Sequence, residues 1–207
     1  KKVIIACGAI QSVRLLMNSH RISNLISNSN LGKGFMDHGA IQFSKIKVHN
    51  RYKFLSFFNT KYSSYGNKLS IRISAPKQYL KNKNSNISGM FMIIPPKNIF
   101  KKIINILTII LTIKFLRFIY KPYGDIVLCF LVEQNSSLKN NIELTNSGIP
   151  LINWQISKKE VHSISNFAEI ILNANEVKEL IKNIEEFPDK DSIYSKMTDN
   201  NHPMGGA

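Results

Sequence analysis

The chain has 207 residues, 43% of them hydrophobic, and a formal charge of +15 from 28 Lys and Arg against 13 Asp and Glu. That apolar share excludes a disordered polymer, and the length suffices for one sizeable core, or one domain with pieces of another. The charge would suit nucleic acid, but the lysines are scattered among isoleucine and asparagine with no arginine-rich stripe, so no nucleic-acid partner is expected.

Residues 3–6, "VIIA", are apolar and β-branched and predict a buried strand. Cys7, Gly8 and Ala9 predict a turn, and residues 10–18 a helix with Ile10, Val13, Leu16 and Met17 on one face. Strand, glycine turn and helix make the unit of a parallel α/β sheet. "RISNLISNSNLGKGFMDHGA" (21–40) is rich in Asn, Ser and Gly and predicts a loop. From residue 41 the pattern changes to alternation, in "IQFSKIKVHN", "LSIRISAP" and "SGMFMIIPP". Strand signals without intervening helices predict an antiparallel sheet.

Residues 98–120, "NIFKKIINILTIILTIKFLRFIY", are the most hydrophobic stretch, and Lys114 and Arg117 interrupt it. The uninterrupted core is shorter than the roughly 20 apolar residues that span a bilayer. A helix packed on the sheet or between domains fits best, because its charges do not segregate to one face. A basic-flanked helix lying on a membrane surface, with peripheral membrane contact, is the alternative.

Strands resume with "DIVLCFLVEQ", "NNIELTN" and "PLINWQI", with a turn at Asn146, Ser147 and Gly148. Ser157 and Glu160 have the spacing of a capping box. They open a helix with Val161, Ile164, Ala168, Ile171 and Leu172 at helical spacing. Residues 176–186 predict a second helix, closed by Pro188. Trp154 alternates with Ile152 and Ile156 and is expected on their face, in the core. Cys7 and Cys129 lie in apolar runs without metal-ligand or CxxC spacing. Both are expected as small buried residues in a reducing, cytoplasmic compartment, with no metal site.

The chain closes on "NHPMGGA" (201–207). Pro203 restricts His202 to extended backbone, and Gly205 and Gly206 leave the main chain bare beside it. A constrained imidazole next to bare backbone suits a site where something planar lies close, and a surface turn uses the same residues. Of the remaining histidines, His20, His49 and His162 are expected to be structural or solvated. Glu133, a lone carboxylate at a strand end, is expected to be solvated or paired.

"VIIACGAIQSVRLLMNS" (3–19), "NLGKGFMDH" (30–38) and "NHPMGGA" together resemble, in this order, three motifs of the glucose–methanol–choline (GMC) oxidoreductases, flavoenzymes that oxidise alcohols. "FLVEQNSSLKNNIELTNSGIPLINWQISKKE" (130–160) also resembles the run before that family's last substrate-domain helix; the resemblance there extends over 126–179, whereas residues 42–123 carry no matching motif. The family's GxGxxG fingerprint is nowhere in the chain, nor is a closing segment with a second His or Asn. With no initiator Met, a start inside a strand and a stop inside a motif, the chain is expected to be an internal fragment.

The resemblance implies an α+β fold: an antiparallel-sheet substrate domain with flanking helices, plus a partial α/β FAD-binding domain. Residues 1–40 would belong to the FAD-binding part, 41–190 to the substrate domain, and 191–207 to the return toward the catalytic domain. FAD is the implied cofactor and a small alcohol or polyol the implied substrate. His202 matches the family's active-site histidine and would take the hydroxyl proton. Ala6, Gly8 and Ala9 would pass close to the cofactor, as would Pro203 and Met204, while Asp37 and His38 would cover the flavin. For Gly8 an ordinary strand-to-helix turn remains open, and for Asp37 and His38 a capped turn. Without the fingerprint, weak FAD binding and no activity in isolation are expected. A non-catalytic remnant of such an enzyme and a basic membrane-surface protein are the rival expectations.

Overall fold

Six strands pair into one antiparallel sheet in the computed structural model, which describes residues 2–19, 30–58, 61–62, 68–78, 86–94, 103, 124–199 and 203–204. The chain enters through helix α1 (Ala9–Asn18), then strand β1 (His38–Val48) and helix α2 (Arg51–Phe58). Short strands β2 (Lys61–Tyr62), β3 (Lys68–Leu69) and β4 (Ile73–Ser74) lead to two long ones, β5 (Asn86–Ile94) and β6 (Asp125–Glu133). A hairpin of β7 (Asn141–Leu144) and β8 (Pro150–Asn153) precedes helix α3 (Lys158–Asn173) and the single turn α4 (Asn175–Lys178). Strand β9 (Ile181–Ile184), helix α5 (Lys190–Lys196) and strand β10 (Thr198–Asp199) complete the order.

The large sheet runs β10-β1-β6-β5-β4, with β9 also paired to β1. The period of two along β6 puts Ile126, Leu128, Phe130 and Val132 on one face, where register aligns Phe130 with Ile41 and Gly89. Helix α3 covers that face with Val161, Ile164, Phe167, Ala168 and Ile171, all buried in the same cluster. Phe43 and Phe167 pack against the Phe130 ring, Phe43 edge-on at 5.3 Å between centroids. A bulge in β1 between Gln42 and Ser44 lets both Phe43 and Ser44 turn inward.

The antiparallel sheet, the turn around Gly148 and the capping box are as the sequence predicts. Ser157 accepts from the Glu160 N–H, and the Glu160 carboxylate accepts from the Ser157 N–H at 2.5 Å. Helix α2 carries no signal noted in the sequence; Phe54 and Leu55 anchor it in the core. Several expectations need correction. Residues 3–6 form no strand, and Val3 and Ile4 are 87% and 89% exposed. A parallel strand needs neighbours on its hydrogen-bonding edges, and no described strand flanks this segment. Cys7, expected to be buried, is exposed with it, whereas Cys129 is buried. The helix predicted over 176–186 ends at Lys178, and Ile181–Ile184 pairs with β1 instead, Ile184 opposite Ile46. An open edge of β1 outweighs helix propensity there. Trp154 packs inward as expected, but Ile152 is exposed, because β8 stops at Asn153 and its alternation with it. The hydrophobic stretch 98–120 lies outside the described residues except Ile103, as do residues 20–29, His202, Gly205 and Gly206. No helix among the described residues is long and apolar enough to cross a membrane.

Candidate functional site

The segment Phe35-Met36-Asp37-His38 leads into β1 and is bonded on both edges. Successive amides of extended backbone point to opposite sides, and the hydrogen bonds follow that alternation. On one side the Phe35 N–H donates to the Asn140 carbonyl at 3.1 Å, and the Asp37 N–H to Gln134 Oε1 at 3.3 Å. On the other side Met36 and Met204 exchange N–H···O bonds in both directions, each at 2.8 Å. A little further along the same edge, β10 pairs Asp199 with Gly39 and Thr198 with Ala40. In sequence, Asp37 and His38 separate the two paired points on one side, and residues 200–203 separate them on the other.

The sequence-predicted site residues therefore fall into two groups. Asp37, His38, Pro203 and Met204 are brought together by the Met36–Met204 bridge. His202, bonded covalently to Pro203, lies outside the described residues. Asp37 is 5% exposed, and its Oδ1 accepts the His38 N–H at 2.6 Å within the extended strap Phe35–His38. Ala6, Gly8 and Ala9 form the second group at the N-terminus of α1, Ala6 and Gly8 exposed and Ala9 half-buried. Gly8 has φ +77°, a conformation glycine adopts without strain, and a side chain there would meet nothing within 4 Å. Gly8, the N-cap of α1, has no side chain to accept from the helix's first turn, so among the described residues no side-chain cap bond meets its leading N–H groups. The groups are linked at one remove: Val13 of α1, Phe35 of the strap and Ile142 of β7 form a small buried cluster. Gly32, at φ +83°, allows this approach, because a Cβ would run into the Ile142 carbonyl and the Met17 side chain.

Sequence reasoning missed the residues that hold the strap. Gln134 Oε1 also accepts the Trp154 Nε1–H at 2.6 Å, and its Nε2 donates to the Gln155 carbonyl at 2.9 Å. Asn140, 2% exposed, grips the same residue: Nδ2 donates to the Gln155 carbonyl at 3.2 Å and Oδ1 accepts the Gln155 N–H at 3.1 Å. One signal is in the sequence, a glutamine directly after the apolar run of β6, next to the Glu133 carboxylate. Glu133 is exposed and accepts a hydrogen bond from Asn86, as a paired strand-end carboxylate would. His162 is exposed and lies 3.1 Å from the Asn166 amide.

A groove of ≈ 1060 Å³ opens behind these amides, lined by Gln134, Asn140 and Gln155 and by Lys139, Lys158 and Lys190. Asp37, His38, Pro203 and Met204 do not line it. Among the described residues no cluster of His, Cys, Asp and Glu is placed to hold a metal.

No protein-family model matches the chain, and no curated protein matches it by sequence. The fold is similar to part of solved formate oxidase structures. Among solved structures the chain is similar to formate oxidase of Aspergillus oryzae RIB40, in an arginine-to-alanine form studied for FAD modification, at TM-score 0.55 and 15% identity over all of this chain. An arginine-to-lysine form of that enzyme matches at TM-score 0.53 and 16% identity, and a further formate oxidase structure at 0.53 and 14%. The chain spans 44% of each of those chains, less than half their length.

Proposed function

We propose that this chain contributes the substrate-domain sheet and one wall of the flavin site of an FAD-dependent oxidoreductase that acts on a small alcohol or polyol. The observation that carries the proposal is the Met36–Met204 bridge. It joins the two separate stretches, "FMDH" and "HPMGG", in which the family resemblance puts its flavin-facing residues. The likeness of the fold to part of an FAD-carrying oxidase supports the same reading.

The residues present fit a flavin. The uncapped first turn of α1 offers N–H donors to a polar or anionic group, and the open space beside Gly8 admits a planar ring. Ala6, Gly8 and Ala9 would flank the cofactor on one side, and Asp37, His38, Pro203 and Met204 on another. A bound flavin would supply the hydride acceptor for the carbon-bound hydrogen. His202 would take the hydroxyl proton, a task for a neutral imidazole held within hydrogen-bond reach of the substrate. Pro203 limits the backbone freedom of His202, which lowers the entropy of holding the base in place.

With no GxGxxG to cradle the pyrophosphate, FAD is expected to bind the isolated chain weakly, with Kd on the order of 10–100 μM. Emission from Trp154, the one tryptophan, follows the titration. Gly8→Ala and Gly8→Val both strain the backbone at φ +77°, the β-branched Val more than Ala, and they differ in bulk. Gly8→Val is expected to weaken FAD by about tenfold relative to Gly8→Ala, because the larger side chain fills the approach. No saturable binding at millimolar FAD, or equal affinities for the two variants, would overturn the proposal.

A further inference from the structure

Gln134 follows directly on β6, the central strand of the sheet, and is only 9% exposed, and its amide meets three partners from two separate stretches of chain. Its oxygen accepts from the Asp37 backbone and the Trp154 indole, and its nitrogen donates to the Gln155 carbonyl. A primary amide is the one uncharged side-chain group that can accept from two donors while donating in a fixed plane beside them. A carboxylate would lose the donor and a hydrocarbon would lose everything.

Each bond has a separate consequence. The indole bond, at 2.6 Å the shortest, fixes where the amide oxygen points. The bond to Gln155 prevents the amide from flipping, because a reversed plane would set its oxygen against the Gln155 carbonyl. The oxygen so held faces the Asp37 N–H, and with the Asn140 carbonyl it bonds the alternate amides of the strap. The Met36 N–H and C=O are thereby turned to the opposite side, toward Met204.

We infer that Gln134 is a positioning residue: its side-chain amide, locked by Trp154 and Gln155, sets the register in which the Phe35–Asp37 strap pairs with Met204. Trp154 is the second member of the device, since its indole aims the amide oxygen. Through Pro203 the same register sets where His202 is tethered, and that functional consequence rests on the flavin-site proposal. The structural part stands without it.

The test is amide hydrogen exchange on the full chain, read as the protection of Met36 and Met204 relative to Leu128 in the middle of β6. Gln134→Met keeps the length of the side chain and removes all three hydrogen bonds. The ratio is expected to fall by about tenfold, because the strap opens locally while the core does not. A uniform rise in exchange, with the ratio unchanged, would make Gln134 a merely structural residue and overturn the inference. Trp154→Phe is the milder second variant and decides the matter if Gln134→Met does not fold. It keeps an aromatic ring and deletes the indole donor, and it is expected to lower the same ratio by about threefold. An unchanged ratio there would likewise overturn the inference. FAD titration of Gln134→Met, followed by flavin fluorescence, separates the two layers. A parent chain that binds no FAD sinks the flavin reading but leaves the exchange ratio to decide Gln134. A parent that binds FAD with an affinity unchanged in Gln134→Met, despite a fallen ratio, would break the link from register to site.

Discussion

The two ends of β1 are held by different forces. Its middle, at Ile41, Phe43 and Ile46, lies in the apolar layer against Phe130, Leu128 and Ile126 of β6 and the covering helix α3. Its entrance, from Phe35 to Gly39, is fixed by hydrogen bonds: those of Gln134 and Asn140, the Asp37 carboxylate on the His38 N–H, and the Met36–Met204 pair. Apolar contact is non-directional and favours any arrangement that excludes water, so it secures the sheet without dictating where one peptide points. Hydrogen bonds are directional, and each buried one left unmade is costly, so they specify the register of a short segment that has little apolar surface of its own. The candidate site is at the polar end.

The largest effect that can sharpen this comparison comes from the apolar end. Phe130 is 1% exposed and lies among Phe43, Phe167 and the backbone of Gly89, where an added Cβ would sit 3.1 Å from the Phe130 ring. Phe130→Ala is expected to cost about 3–5 kcal/mol, since a cavity between sheet and helix cannot collapse fully. Urea unfolding would show it as a lower midpoint. A loss below about 1 kcal/mol would mean that the layer is loosely packed and that the contrast between the two ends is not real.

At the polar end the expected loss is smaller and local. Asn140→Ala removes both bonds to Gln155, but the Gln155 carbonyl keeps its bond from Gln134, so the Gln155 N–H is left without this partner. A cost of about 1–3 kcal/mol follows. Its signature differs from that of Phe130→Ala. Exchange should accelerate first at Gly34 and Phe35, whose N–H groups donate to the Asn140 carbonyl, and at Ile142, whose N–H donates to the Gly32 carbonyl, and the β6 amides should follow only through global unfolding. Equal acceleration in both places would show the strap and the core to be one cooperative unit.

The two ends also differ in how far the sequence discloses them. Val161, Ile164, Ala168 and Ile171 recur at helical spacing behind Ser157 and Glu160, and "DIVLCFLVE" reads as a strand by its length and β-branched content. Periodicity and capping are local signals, and the sheet with its covering helix follows from them. The strap is different: Gln134 and Asp37 are 97 residues apart in sequence, and nothing periodic marks either partner. The three motifs locate the candidate site by resemblance, but they are silent about what braces it. Ile181–Ile184 shows the same limit within the fold. Its charged, amphipathic sequence favours a helix, and only the free edge of β1, a long-range fact, turns it into a strand.

The smallest expected effect comes from the two thiols, which sample the extremes of the molecule. Cys7 stands exposed beside Gly8, whereas Cys129 is buried in β6, on the face opposite Phe130, with Gln42 and Met90 as its register neighbours. Burial pushes the Cys129 thiol up to about 11, because the thiolate would lose its hydration. An acid whose folded value is raised keeps its proton in the fold while the unfolded chain releases it. Stability is therefore intact below the ordinary thiol range and declines from there up to about 11, by about 0.5 kcal/mol at pH 9. Cys129→Ala should flatten that alkaline decline while leaving a pH-independent cavity cost. At pH 8 a thiol reagent should modify Cys7 at once and Cys129 only when β6 opens, so the second rate reports the stability of the apolar layer. A Cys129 that reacts as fast as Cys7 would place water at the centre of the sheet, and the division between a packed end and a polar end of β1 would fail with it.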